Sequence, residues 1–381
     1  MSRPYDVPLS ELRRRRSVKW QQFPPDVLPM HVAETDFLLA DPIRAAVADL
    51  LERGDTGYAF ALELPVAYAE FAANRYGQVV DPGSALLVGD VMEGVYVALG
   101  GLTDPGAGVV ICPPVYHPFF DVIPRAGRRT VHAPLARDPD TGRYEFDLAA
   151  LEAAFAAGAA AFLLCNPHNP VGRVWTPTEL GAVAELADRY GVLVLADEIH
   201  GPLTFAGHPH TPFASVDSDS ARRAVSFVSA SKAWNLPGLK CALALAPDPA
   251  ARDRFGPAPN HVSIAASILG VAASVAAFRD GGPWLDGALA QFAANGDLLG
   301  ELMAQRLPGI GWARPEGTYL AWLECAGLGA DPAAEFLATG RVALDSGWRY
   351  GVEGAGFARL NLGTSAALVT EAVDRMALAL R

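Results

Sequence analysis

The chain has 381 residues, 51% hydrophobic and 19% charged, enough apolar material to bury a large core and fold throughout. Thirty basic against 42 acidic side chains leave a formal charge of −12, which argues against a nucleic-acid partner or an anionic membrane surface. Cys112, Cys165, Cys241 and Cys325 lie far apart, and neither a signal pattern nor a bilayer-length apolar run is present. These features read as a soluble cytoplasmic protein with reduced thiols.

In chain order, the basic run Arg13–Arg16 comes first and reads as a solvated helix face between Leu12 and Val18. Short apolar runs follow at Val109–Cys112, Ala161–Cys165, Val192–Ala196, Val225–Val228 and Cys241–Leu245. Their length and lack of polar alternation predict strands buried on both faces of a mostly parallel sheet. Helical stretches separate them, such as Thr178–Tyr190, opened by Thr176-Pro177 and closed by Gly191. The Ala-rich stretch Leu148–Ala161 reads as compositional bias, not as a repeat, and His208-Pro209-His210 as a surface loop without further metal ligands. Helices are expected at Ser263–Phe278 and Pro283–Leu307, then strands at Tyr319–Leu323 and Ala358–Leu362 and a final helix. The fold class is α/β, with helices sandwiching the large sheet and a smaller α+β domain behind it.

Polar residues punctuate the strand ends, where open α/β sheets collect ligands. Lys232, in Ser229-Ala230-Ser231-Lys232-Ala233-Trp234-Asn235-Leu236-Pro237-Gly238-Leu239-Lys240, follows one strand. Its amine could attack a carbonyl carbon once deprotonated, although solvated lysines after strands are common. Asp197 ends the apolar run in Leu195-Ala196-Asp197-Glu198-Ile199-His200, where a carboxylate is costly without a cation. A pyridinium nitrogen would be one such partner, and a helix cap or a strand-end ion pair are plain alternatives. Asn169 sits in the rigid turn Asn166-Pro167-His168-Asn169-Pro170-Val171-Gly172, from which its amide could donate to a phenolate oxygen or merely make an Asx turn. Tyr116 could lie over a planar heteroaromatic or simply pack.

Together these motifs resemble the fold-type I pyridoxal-phosphate enzymes of the aminotransferase class I/II superfamily, from about residue 28 to the C-terminus. The resemblance implies pyridoxal 5′-phosphate as cofactor. Lys232 would bind it covalently and move the proton between Cα and C4′, Asp197 would pair with the ring nitrogen and Tyr116 would stack on the ring. Asn169 would hydrogen-bond O3′, with His200 nearby. The phosphate would sit at the N-terminus of the helix starting near Val91 and Met92, closed by Ser229, Ser231 and Lys240. Arg359 would grip the α-carboxylate of a small amino-acid substrate. Tyr58 would reach the phosphate of the partner subunit, implying a homodimer. The implied division is a large domain over 46–283 and a small one formed by 1–45 with 284–381.

Leu28–Phe37, Asp197–His200, Pro315–Trp322 and Ser346–Phe357 are similar to the C–S β-lyase branch, of the cystathionine β-lyase type. The chain departs from it at His31-Val32-Ala33-Glu34-Thr35-Asp36-Phe37, where Trp-Val-Ala-Asp-Met-Asp-Phe is usual, and at Asp90, where glycine is usual. A third departure is the loop Asp345–Tyr350. The resemblance implies cleavage of cystathionine or a related cysteine S-conjugate to a thiol, pyruvate and ammonia, with an aminotransferase as the alternative.

Overall fold

The computed structural model describes residues 4–61, 63–255, 265–325 and 327–380. Seven strands form the large sheet: β1 (Ala85–Val88), β2 (Gly108–Ile111), β3 (Arg129–His132), β4 (Ala159–Cys165), β5 (Leu193–Asp197), β6 (Val225–Val228) and β7 (Ala242–Leu245). Their order is β1-β7-β6-β5-β4-β2-β3. Only β7 runs antiparallel to its neighbours, so the expected mostly parallel sheet is present. Five strands fall on the apolar runs. The edge strands β1 and β3 gave no such signal: β3, Arg-Thr-Val-His, is half exposed and lacks the apolar continuity of a doubly covered strand.

Alternate side chains of the central strands face two different cores. Val109, Ile111, Leu163, Leu195 and Phe227 pack against Val95, Leu99, Phe119 and Ile123 from the helices Val91–Leu102 and Pro118–Arg125. Val110, Phe162, Leu164 and Val194 pack on the other side against Leu151, Phe155, Leu180 and Val183. This alternation is the period-two geometry of a strand covered on both faces. The Val91–Leu102 helix lies close to β6 because Gly94 has no side chain; a Cβ there would meet the Phe227 ring at 2.9 Å.

The helix expected from Thr178 runs Pro177–Tyr190, with a Thr176–Glu179 capping box and a left-handed Gly191. The Ala-rich stretch becomes the helix Leu148–Ala156 and the start of β4. The helix expected at Ser263–Phe278 is found at Ile268–Asp280, residues 256–264 lying outside the described ones, and the next spans Gly282–Arg306. A four-stranded antiparallel sheet follows, in the order Gly311–Trp312, Leu320–Glu324, Phe357–Asn361 and Asp345–Ser346. The helix Ala366–Ala379 ends the fold. Among the described residues no helix is long and apolar enough to cross a membrane.

One expectation fails. Arg13–Arg16 is a turn after the four-residue helix Leu9–Leu12, not a helix face. Arg15 is drawn inward there, donating to the carbonyl oxygens of Thr35, Asp36 and Phe37 at 3.0–3.1 Å. His208-Pro209-His210 lies in a loop with His208 and Pro209 exposed, and His210 turns inward, edge-on to Tyr76.

Candidate active site

A cavity opens where β4, β5 and β6 end, facing the N-terminus of the Val91–Leu102 helix. The register explains the convergence: Cys165 pairs with Asp197 and Asp197 with Phe227, so the segments leaving these strands emerge side by side. Val91, Met92, Tyr116, Asn169, Asp197, His200, Ser231, Lys232 and Lys240 all line it. Ser229 does not. Its hydroxyl donates to the Cys241 carbonyl at 2.7 Å and accepts from Ser231 N, which shapes the loop behind the wall. Ala33 and Asp90 also line the cavity, the former without any sequence signal.

Asp197 is 3% exposed, and among the described residues its carboxylate has one hydrogen bond, from Ile199 N at 3.2 Å, and no ion pair. Burial pushes its pKa up to about 7. His200 is buried beside it, its Nδ1 without a partner among the described residues, and burial drives its pKa down to about 3, so the ring is neutral. The Lys232 ammonium donates to the Ala33 carbonyl at 3.0 Å; burial, then the positive charge of Arg359, pull its pKa down to about 8. Burial likewise pushes the Tyr116 phenol up to about 12.

At the helix end, Asp90 Oδ1 accepts from Glu93 N at 2.9 Å and Oδ2 accepts from Lys240 Nζ at 2.7 Å. Burial opposes ionisation, but Lys240 and the amides of the first turn hold this carboxyl below its usual range. The departure from glycine therefore brings an anion to the mouth of the helix.

Arg359 stands behind Asn169. Nη1 donates to Asn169 Oδ1 at 3.1 Å, Nη2 donates to the His31 carbonyl at 2.7 Å, and Nη2 lies 3.0 Å from Asp345 Oδ2. Asp345 also accepts from Tyr350 OH at 2.6 Å and from Arg349 at 2.7 Å. The segment Met30–Phe37 crosses the site, held from several elements. Asn361 donates to the Val32 and Glu34 carbonyls, Asn235 exchanges two hydrogen bonds with Thr35, and Lys19 makes a buried ion pair with Asp36 at 2.8 Å.

The family model for aminotransferase class I and II matches residues 42–376. The chain belongs to this family. A Mycobacterium leprae protein named "Putative cystathionine beta-lyase" is 44% identical over 98% of this chain and 96% of its own. The cystathionine beta-lyase PatB of Bacillus subtilis is 34% identical over 96% and 97%. Cystalysin from Treponema denticola, whose crystal structure contains pyridoxal 5′-phosphate, superposes with a TM-score of 0.92 at 27% identity, covering 97% of this chain and 96% of that one.

The family and its cofactor-bound neighbours indicate pyridoxal 5′-phosphate as the cofactor. The cavity suits it. A buried carboxylate lacking a cation, an amine of lowered pKa and a helix N-terminus with Lys240 lie around one space. Tyr58 is elsewhere, 84% exposed on the surface beside the equally open Phe60.

Proposed function

We propose that the chain is a pyridoxal-phosphate-dependent C–S β-lyase that cleaves cystathionine or a related cysteine S-conjugate, with one water, to a thiol, pyruvate and ammonia. The observation that carries the cofactor chemistry is Asp197, a fully buried carboxylate on the wall it shares with Lys232. The choice of reaction rests on the relatives named cystathionine beta-lyase that match almost the whole chain.

When bound, pyridoxal phosphate supplies an electron sink conjugated to the substrate Cα. Asp197 would keep the proton on the ring nitrogen, and that charge would in turn offset the cost of its own burial. Tyr116 would cover the ring, and Asn169 and His200 would face its phenolate oxygen. The amides of Val91 and Met92, with Ser231 and Lys240, would hold the phosphate, while Ser229 fixes the loop that carries Ser231. Lys232 would hold the cofactor covalently and would serve as the base that takes the proton from Cα, the step that lets the thiolate leave from Cβ. Its lowered pKa makes it a competent base near neutral pH. Arg359 holds the α-carboxylate with its planar fork.

Tyr58, exposed next to Phe60, would reach the cofactor phosphate of the partner subunit in a homodimer. The chain works in the cytoplasm, in keeping with its four free, buried cysteines.

The test is to incubate the purified holoenzyme with L-cystathionine and no keto acid. Pyruvate and ammonia formed over many turnovers are expected. A single turnover that resumes only on adding a keto acid overturns the reading in favour of transamination.

A further inference from the structure

Arg349 lies at the outer end of a chain of contacts that begins on the cavity wall. Asn169 accepts from Arg359, Arg359 pairs with Asp345 Oδ2, and Asp345 Oδ1 accepts from Arg349 at 2.7 Å. The other Arg349 nitrogen, Nη2, is 2.7 Å from His117 Nε2, next to Tyr116. One carboxylate thus fixes two guanidinium groups, one on each oxygen. Arg359 is buried beside the cavity, whereas Arg349 is 50% exposed.

Asp345 is shared among Arg359, Arg349 and the Tyr350 hydroxyl, so it cannot satisfy Arg349 alone. His117 adds no charge, because burial and then the Arg349 charge hold its pKa near 4. Of the five N–H donors of a guanidinium, Arg349 spends two here. The half-exposed guanidinium keeps further donors, and a planar group of this kind takes a carboxylate.

We propose that Arg349 recognises a second carboxylate, carried on the sulfur substituent of the substrate. The preferred substrate class is then a cysteine S-conjugate whose leaving thiol is itself an acid, such as cystathionine or cystine, over conjugates with a neutral alkyl group. This rests on the C–S β-lyase reading.

The test compares holoenzyme variants on L-cystathionine and on S-ethyl-L-cysteine, which lacks the second carboxylate. Arg349→Gln should lower kcat/KM for L-cystathionine by about tenfold, mainly through KM, and leave S-ethyl-L-cysteine within about twofold. Arg349→Lys should recover part of the loss by keeping the charge. Equal losses on both substrates would mean that Arg349 only braces Asp345, and unchanged kinetics on both would mean that it binds nothing; either overturns the assignment alone. A wild-type enzyme inert towards both substrates removes the lyase reading and this assignment with it.

Discussion

Arg359 Nη2 sits 3.0 Å from Asp345 Oδ2, with both side chains almost fully buried on paired strands. The pair presets the guanidinium before substrate arrives, and Arg359 Nε is buried with no partner among the described residues, a donor available to a carboxylate. Arg359→Lys keeps the charge and loses the fork. It should lower kcat/KM for the amino-acid substrate by about 100-fold while the visible absorbance of the bound cofactor is retained. Arg359→Ala should in addition destabilise the fold by about 2 kcal/mol, since Asp345 loses its buried cation and keeps only the half-exposed Arg349 and the Tyr350 hydroxyl; a denaturant midpoint reads this directly. A lysine variant with wild-type KM would move the α-carboxylate away from Arg359.

Lys232 is expected to show its depressed pKa in the apoprotein. Burial, followed by the charge of Arg359, brings the amine to about 8, so its neutral fraction grows through that pH. Covalent capture of added cofactor, followed by visible absorbance, should quicken between about pH 7 and about pH 9 with a midpoint near the amine pKa. Lys232→Ala should abolish that absorbance and lower elimination by at least about 10³-fold, the scale of losing a general base and nucleophile together. An unchanged spectrum in that variant would assign the covalent link to another residue.

What was legible in the sequence follows from where burial is continuous. β4, β5 and β6 are covered on both faces, so each reads as an unbroken apolar run, and the polar residues ending them stand out: Asn169, Asp197 and Lys232. Contacts set by antiparallel register or by chain crossing were not legible. Asp345 meets Arg359 only because two short strands pair at that step, and Ala33 reaches Lys232 only because Met30–Phe37 is strapped across the site by Asn361 and Asn235. Arg15 misled for the same reason: its basic run looks solvated, yet its donors serve the carbonyls of that strap.

Asp197 makes the stability of the apoprotein depend on pH. A carboxyl raised from 3.8 to about 7 by burial prefers to stay protonated when folded. The folded chain then binds more protons than the unfolded one between those values, and stability falls as pH rises through that window. The full loss above it is on the order of 4 kcal/mol. Glu198 shifts the same way, so the clean comparison is with Asp197→Asn, in which only the Asp197 contribution is removed. Relative to wild-type apoprotein, the variant should gain stability in urea as pH rises through the window, and saturating wild-type protein with cofactor should abolish the difference. A constant offset between the two proteins across pH would mean that Asp197 is ionised in the apoprotein despite its burial.

Asp90 should weaken the hold on the cofactor phosphate. Its carboxylate already accepts from Glu93 N in the first helical turn and already pairs with Lys240 at 2.7 Å, so an arriving phosphate meets an anion in its own site. Asp90→Asn preserves the capping oxygen, removes the charge and frees Lys240 for the phosphate. The dissociation constant of the cofactor, measured by equilibrium dialysis against apoprotein, should fall by about tenfold, a modest value because the pair is half exposed and screened. Added salt should narrow the difference, as it does for any partly solvated charge pair. Lys240→Ala should act in the opposite direction. If Asp90→Asn instead loosens the cofactor, the role of Asp90 is to aim the Lys240 ammonium, and that gain in orientation outweighs the repulsion between carboxylate and phosphate.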